Sequence, residues 1–382
     1  HRAGVGVGVA LKKILLCADL HAGIRTWGVD RRDELLLALS QIYDVARDFN
    51  VDALFALGDI FHSFRYPGED VVLPIAKFFS EVLSLPAKPF IYLLKGNHDW
   101  SGIRIWELFQ GDGRFVFVDD ASFVTLGDTV IFLVPYLRRH DLPKGMEIEE
   151  FLKVRWKDAP KGSIRLCFAH MALEGTPLSL SEITLPERIL VDFEIDKTIC
   201  GHIHRHYKVK GKSSSIYYVG SPIRLDFAEE GNDLGVYVVD ERADIIDVPL
   251  QGKSLVTLEY DDEAEASSKL CESLDKVAKD AYVRVVLNRS ALPVSQLLDK
   301  FRLLTDDRIV AVSVNDGILQ TTSSSQDPFD VLGLWKRFID NQDEDDATKE
   351  ILKAIGESLL LGKDPSTMWS ELKSFFETDE QE

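Results

Sequence analysis

Six of the nine histidines in this 382-residue chain sit at the ends of short apolar runs, most with a carboxylate or an amide close by. Collected in order they are Asp19 and His21, Asp59 and His62, Asn97 and His98, His170, then His202 and His204. Carboxylate, imidazole and amide oxygen without thiolate suit Mn²⁺, Fe²⁺ or Mg²⁺-like octahedral coordination better than a structural zinc. There are too many donors for one ion. Two ions about 3.5–4 Å apart, sharing one carboxylate, would use them all and activate a water between them. A single ion with the remaining histidines behind its ligands is the leaner alternative. Cys17 and Cys200 each stand two residues before a motif residue, but free cysteine is commonly buried, so core packing is the better reading.

The elements that must carry these residues are short strands. Apolar, β-favouring runs over 14–18, 53–57, 89–94, 164–169 and 197–200 lead into Asp19, Gly58-Asp59, Gly96-Asn97-His98-Asp99, His170 and Gly201-His202 in turn. The carboxyl edge of an open α/β sheet is where such folds hold ligands. Amphipathic stretches over 33–49 and 70–83 alternate with the first strands, as βαβ units do. From Phe115 the pattern becomes β-rich, with strands over 115–118, 122–126, 130–134, 215–219 and 235–239. A boundary falls near Pro249 to Ser254. Beyond it, strands at 255–259, 282–287 and 309–314 alternate with helices at 263–278 and 294–304. A Ser/Thr-rich linker at 321–325 then precedes amphipathic helices at 328–339 and 347–361 and a last piece carrying Trp369, Phe375 and Phe376.

Composition bounds the reading. An apolar fraction of 45% and a charged fraction of 28% are those of a globular protein, and no run is long and apolar enough for a membrane span. Four scattered cysteines without a CxxC pair point to a reduced, cytoplasmic setting. The net charge of −19 argues against non-specific nucleic-acid binding by the chain as a whole. About half of that excess lies from Asp327 onward, where fifteen acidic residues face six basic ones. Two bound metal ions would also add about four positive charges at the site. Residues 1–10, a Gly/Val repeat without an initiating Met, read as a tag or leader.

The motif order Asp19-x-His21, Gly58-Asp59-x-x-His62, Gly96-Asn97-His98-Asp99, His170, Gly201-His202-x-His204 resembles that of the calcineurin-like metallophosphoesterases, over about residues 11–245. Within that superfamily the chain is similar to the SbcD group, the nuclease subunit of a bacterial double-strand-break repair complex. His62 in Gly-Asp-Ile-Phe-His, Tyr218-Val-Gly-Ser-Pro222 with Asp226-Phe227, and the added small domain and tail carry that narrower likeness. The resemblance implies a four-layer α/β/β/α sandwich over 11–250, an α+β capping or DNA-binding domain over 251–322, and a helical tail over 323–382. Asp19, His21, Asp59 and His204 would hold one divalent ion. Asp59, Asn97, His170 and His202 would hold the other, with Asp59 bridging. Mn²⁺ is the expected metal, with Mg²⁺ or Fe²⁺ as alternatives. His98 would act as general acid and His62 would position it or the phosphate, while an activated hydroxide attacks phosphorus in line.

The implied activity is exo- and endonucleolytic cleavage at DNA ends. Arg25, Arg31, Arg65 and Arg104, with aromatic neighbours Trp27, Tyr66 and Trp100, are the candidate backbone contacts. The implied partners are DNA, a coiled-coil ABC-type ATPase of the SbcC kind bound through the tail helices, and a second copy of the chain. An apolar patch from Val71, Val72, Ile75, Phe78, Phe79, Ile103, Ile105, Trp106 and Phe109 could supply the dimer face. The alternative function is a phosphodiesterase or phosphatase acting on nucleotides or other small phosphoesters.

Overall fold

The computed structural model describes residues 13–63, 67–99, 106, 109, 111, 113–176, 182–211, 215–305 and 307–315, together with 339, 349 and 353. In chain order the strands are β1 (Lys13–Cys17), β2 (Arg25–Thr26), β3 (Val29–Asp30), β4 (Ala53–Ala56), β5 (Phe90–Leu94), β6 (Phe115–Val118), β7 (Ser122–Leu126) and β8 (Thr129–Val134). They continue with β9 (Ile164–His170), β10 (Lys197–Gly201), β11 (Tyr207–Lys210), β12 (Ser215–Tyr218), β13 (Gly235–Asp240) and β14 (Ile245–Pro249). The last three are β15 (Leu255–Tyr260), β16 (Tyr282–Leu287) and β17 (Ile309–Val314). The helices are α1 (Arg32–Asp48), α2 (Glu69–Leu83), α3 (Ile148–Trp156), α4 (Glu187–Asp192), α5 (Glu263–Asp275) and α6 (Val294–Leu304).

Two six-stranded sheets dominate, ordered β14-β13-β1-β4-β5-β6 and β11-β12-β10-β9-β8-β7. Alternation along β1 explains why both of its faces are buried. Leu15 and Cys17 point into a cluster with Leu35, Leu39, Ile42 and Ala46 of α1, and Ile14 and Leu16 into a cluster between the two sheets. That inner layer joins Phe55 and Tyr92 of the first sheet to Ile131, Leu133, Phe168 and Ile199 of the second. On the outer face of the second sheet, Phe132, Cys167 and Cys200 pack against Phe151 and Leu152 of α3 and Ile189 and Leu190 of α4. The layers are therefore helix, sheet, sheet, helix. A third, parallel sheet, β15-β16-β17, packs against α5 and α6 through Leu270, Leu274, Leu297 and Phe301.

Several elements escaped the apolar pattern. The β2–β3 hairpin is only two residues a side, and edge strands β11 and β14 are half-exposed, β14 ending in a proline that only an edge tolerates. Of the expected dimer patch, Ile75, Phe78, Phe79 and Trp106 are instead buried around Phe115 in the core, with Val71, Val72 and Phe109 packed against them. Ile103 and Ile105 lie outside the described residues.

By internal contacts the chain forms two compact units, 1–316 and 317–382. In the second, Ile339, Lys349 and Lys353 are helical and Ile339 is buried; the rest of the expected tail helices lies outside the described residues. Among the described residues no helix is long and apolar enough to cross a membrane.

Candidate metal centre

The carboxyl ends of β1, β4 and β5 in one sheet meet those of β9 and β10 in the other. The loops that leave them are fastened to one another by backbone bonds: Asp19 N–H to Gly58 O at 3.0 Å, His21 N–H to Asp59 O at 2.9 Å and Ala22 N–H to Ile60 O at 2.8 Å. Four motif residues adopt the left-handed region that side chains usually avoid, with φ of 52° at Asp19, 44° at His21, 53° at Asp59 and 85° at His202. Such strain persists only where the surroundings over-determine it, as functional sites do. Close approach is equally demanding at Gly96, where a Cβ would lie 2.2 Å from both the amide nitrogen and Oδ1 of Asp59. Asp99 braces this corner from beneath, accepting hydrogen bonds from Ile60 N (2.9 Å), Phe61 N (3.2 Å) and Gly96 N (2.9 Å). Burial and the neighbouring Asp59 push its pKa up to about 7.

The donors form two adjoining groups, Asp19 with His21 and His204, and Asp59 with His170 and His202, each with its ligand atoms within 4.8 Å of one another. In the first, the Nε2 atoms of His21 and His204 face each other at 3.1 Å. In the second, Asn97 Oδ1 lies 3.0 Å from His170 Nε2 and 3.0 Å from His202 Nδ1. Asp59 Oδ2 stands between the groups, 3.7 Å from His21 Nε2 and 3.5 Å from His170 Nε2. His21, His62 and His98 make a third, overlapping cluster, in which His62 and His98 are half-buried. His98 gives its Nδ1–H to His62 O at 2.6 Å, and its ring stacks on that of His62 at 5.5 Å.

The donor set fits divalent ions on its own chemistry. His170 has its Nδ1 on Leu57 O at 2.5 Å while its Nε2 faces Asn97 Oδ1. His202 has its Nε2 on a carboxylate oxygen of Glu182 while its Nδ1 faces the same Oδ1. A neutral imidazole has one N–H, so neither ring can serve both acceptors. With the proton on the outer nitrogen, each inner lone pair points at the oxygen, an arrangement a cation between them resolves. Separations near 3.0 Å are also those of adjacent ligands on an octahedral ion with bonds of about 2.1 Å. His204 follows the same plan, its Nδ1 on Glu229 Oε1 at 2.8 Å.

The electrostatics are those of tightly gathered charge. Burial raises the pKa of Asp19 and pushes that of His21 well below its ordinary value. Burial alone would raise Asp59, but His170 and the neighbouring imidazoles outweigh it and hold Asp59 below the usual carboxylate range. Burial likewise opposes a charge on His170, yet Asp59 beside it lifts its pKa to about 9. Burial lowers His62, and His98 adds to that.

The motif residues Asp19, His21, Asp59, His62, Asn97, His98, His170, His202 and His204 are thus brought into one site. Of the four candidate arginines, Arg25 and Arg31 are described. Arg25 is exposed on the β2–β3 hairpin near Asp30 at 3.7 Å. Arg31 corrects the reading of it as a phosphate contact: it is 1% exposed, with its guanidinium on Glu34 (2.5 and 2.8 Å), Thr26 and Arg224 O. Arg65 and Arg104 lie outside the described residues. Cys17 and Cys200 are fully buried, and burial pushes the Cys17 thiol up to about 12, so both serve packing. Glu182, Glu229, Tyr136 and Arg138, the last within 3.2 Å of Asn97 O, are site neighbours that no motif announced. Glu229 alone had a local cue, three residues beyond Asp226.

The sequence profile of the calcineurin-like phosphoesterase family matches residues 12–206, about half of the chain. The DNA double-strand break repair protein Mre11 of Methanosarcina mazei is 27% identical over 229 residues, 57% of this chain and 34% of that protein. A subunit of the nuclease SbcCD from Rhodobacter capsulatus is 26% identical over 275 residues, 60% of this chain and 66% of that one. The chain therefore spans between one third and two thirds of the length of these relatives. The crystal structure of TT1561 from Thermus thermophilus superposes with a TM-score of 0.43 at 14% identity, covering 63% of this chain and 100% of that one, too loosely to bear on function.

Proposed function

Because the chain belongs to the calcineurin-like phosphoesterase family, we propose that it is a two-metal phosphodiesterase that cuts DNA, as exonuclease and endonuclease at ends. The observation that carries the hydrolytic part is the pair of donor groups meeting at Asp59. The DNA part is supported by the names of the relatives, a break-repair protein and a nuclease subunit.

Asp19, His21, Asp59 and His204 would hold one ion and Asp59, Asn97, His170 and His202 the other, with Mn²⁺ as the expected metal and Mg²⁺ or Fe²⁺ as substitutes. Divalent ions bound there supply Lewis-acid neutralisation of the phosphoryl oxygens and a water of lowered pKa. The protein's own groups do the rest. Leu57 O, Glu182 and Glu229 fix the ligand rings, so no reorganisation is needed when charge develops. His98, oriented by its bond to His62 O, hands a proton to the leaving oxygen. His62 sets the position of His98 or of the phosphate, and Arg25, Arg65 and Arg104 meet the flanking backbone.

By the same reading, 11–250 is the catalytic domain and 251–322 a cap over the DNA. The tail, 323–382, docks an ABC-type ATPase, and two copies of the chain pair. A second reading, a phosphodiesterase or phosphatase of nucleotides or other small phosphoesters, is favoured by the net charge of −19, which repels a polyanion. Purified protein with Mn²⁺ offered linear duplex DNA, cyclic nucleotides and bis-p-nitrophenyl phosphate in parallel decides between them. Shortened DNA is the expected result. Intact DNA with hydrolysed cyclic nucleotide would select the second reading.

A further inference from the structure

Glu229 holds two groups at once. Its Oε1 accepts from His204 Nδ1 at 2.8 Å, and its Oε2 accepts from Leu225 N–H at 2.7 Å. It ends a one-turn 3₁₀ segment, Phe227–Glu229, started by Asp226, whose carboxylate accepts from Ala228 N–H at 3.2 Å. The opposite side of that turn is gripped by the small parallel sheet. Phe227 packs with Leu255 of β15 and Val310 of β17, and the Arg284 guanidinium of β16 lies 4.8 Å from its ring. Next to Glu229, Glu230 accepts from Thr257 of β15 twice, from N–H at 3.1 Å and from Oγ1 at 2.7 Å. One short turn thus touches a candidate metal ligand on one side and all three strands of a separate sheet on the other.

We propose that Glu229 is a positioning residue for His204, and that the parallel sheet, through Phe227 and Glu230, sets how firmly the first donor group holds its ion. A carboxylate behind a ligating histidine fixes the ring, keeps its proton on the far nitrogen and raises the basicity of the near one. Glu182 does this independently for His202 in the second group, so each donor group has its own acidic brace. Among the described residues, the brace on His204 is the one whose contacts lead to the small sheet. Anything that displaces that sheet would loosen one ion and spare the other. The inference rests on the metal-dependent phosphoesterase reading of the site and not on DNA as its substrate.

The test reads metal binding directly. Mn²⁺ is titrated calorimetrically into the full chain, and the paramagnetic resonance spectrum reports whether two ions are coupled. In Glu229→Ala, one of the two affinities should fall about 10- to 100-fold, and the coupled spectrum should give way to that of isolated Mn²⁺. Glu229→Gln, which keeps an acceptor oxygen, should recover part of the loss and the similarly sized Glu229→Met should not, whereas a merely space-filling role would let both recover it. Glu230→Ala leaves every donor in place and should weaken the same ion by a smaller factor. Two unchanged affinities with an intact coupled spectrum in Glu229→Ala would overturn the role of Glu229; should that variant not fold, the same result in Glu229→Met does so. Wild-type binding in Glu230→Ala would overturn the link to the sheet. A wild-type protein that takes up no Mn²⁺ would remove the phosphoesterase reading itself, and this inference with it.

Discussion

His170 meets an acceptor at each ring nitrogen, and without an ion it can satisfy both only as an imidazolium, whose pKa Asp59 helps to lift to about 9. A histidine raised above its ordinary 6.5 contributes stability that is fully present below that pH and is lost as pH climbs through about 9. Chelated protein should therefore melt at progressively lower temperature from pH 6.5 to pH 9.5, and Mn²⁺ should flatten the trend by taking the proton's place. A flat melting curve in EDTA would contradict the assignment. His98 differs because its role is proton transfer. His98→Ala should retain both ions by elemental analysis while hydrolysis drops about 10²- to 10⁴-fold; lost metal would make His98 a ligand instead. The thiols offer a third check. Cys17, Cys167 and Cys200 are buried and Cys271 is exposed, so a thiol reagent should label one cysteine in the native protein and four in denaturant.

The loops after β1, β4, β5, β9 and β10 were legible because each combines an apolar run, a stop and a polar ligand type within a few residues. Gly96 shows how much that stop matters. In Gly96→Ala the added methyl must displace the Asp59 backbone, so a destabilisation of about 1–3 kcal/mol should come with weaker Mn²⁺ binding, both measurable on one purified variant. Unchanged binding would mean that Asp59 tolerates the shift. What stayed hidden was everything whose partner is remote in sequence. Glu182 and Glu229 brace histidines 20 and 25 residues away, and nothing in either loop says which histidine it meets. Arg31 looked like a loop arginine at a phosphate site. Its true partner, Glu34, sits one helical turn on, a spacing that does pair charges, but only burial makes the pair decisive. Ile75, Phe78, Phe79 and Trp106 of the expected dimer patch face the core for a similar reason: apolar spacing marks a buried face without saying which neighbour covers it.

At the scale of the molecule, charge and site are unevenly shared. Every donor lies in the unit 1–316, whereas 317–382 carries fifteen acidic against six basic residues, nine of the nineteen excess charges. Removing 317–382 should leave Mn²⁺ uptake and bis-p-nitrophenyl phosphate turnover unchanged. Duplex DNA should bind more tightly at low salt, a gain that fades by about 0.2 M as screening shortens the field. Loss of the ions on truncation would show that the second unit helps to build the site. The topology has a further consequence. β1 pairs with β4 nearby, but its other neighbour is β13, with Lys13 opposite Asp240 and Leu16 opposite Tyr237. At translation speeds of about 5–20 residues per second, β1 waits on the order of ten to forty seconds for β13 with one edge bare. A nascent chain in that interval offers a ready template to its neighbours, so yield in the cell should depend on chaperones and on growth temperature more steeply than the finished fold would suggest.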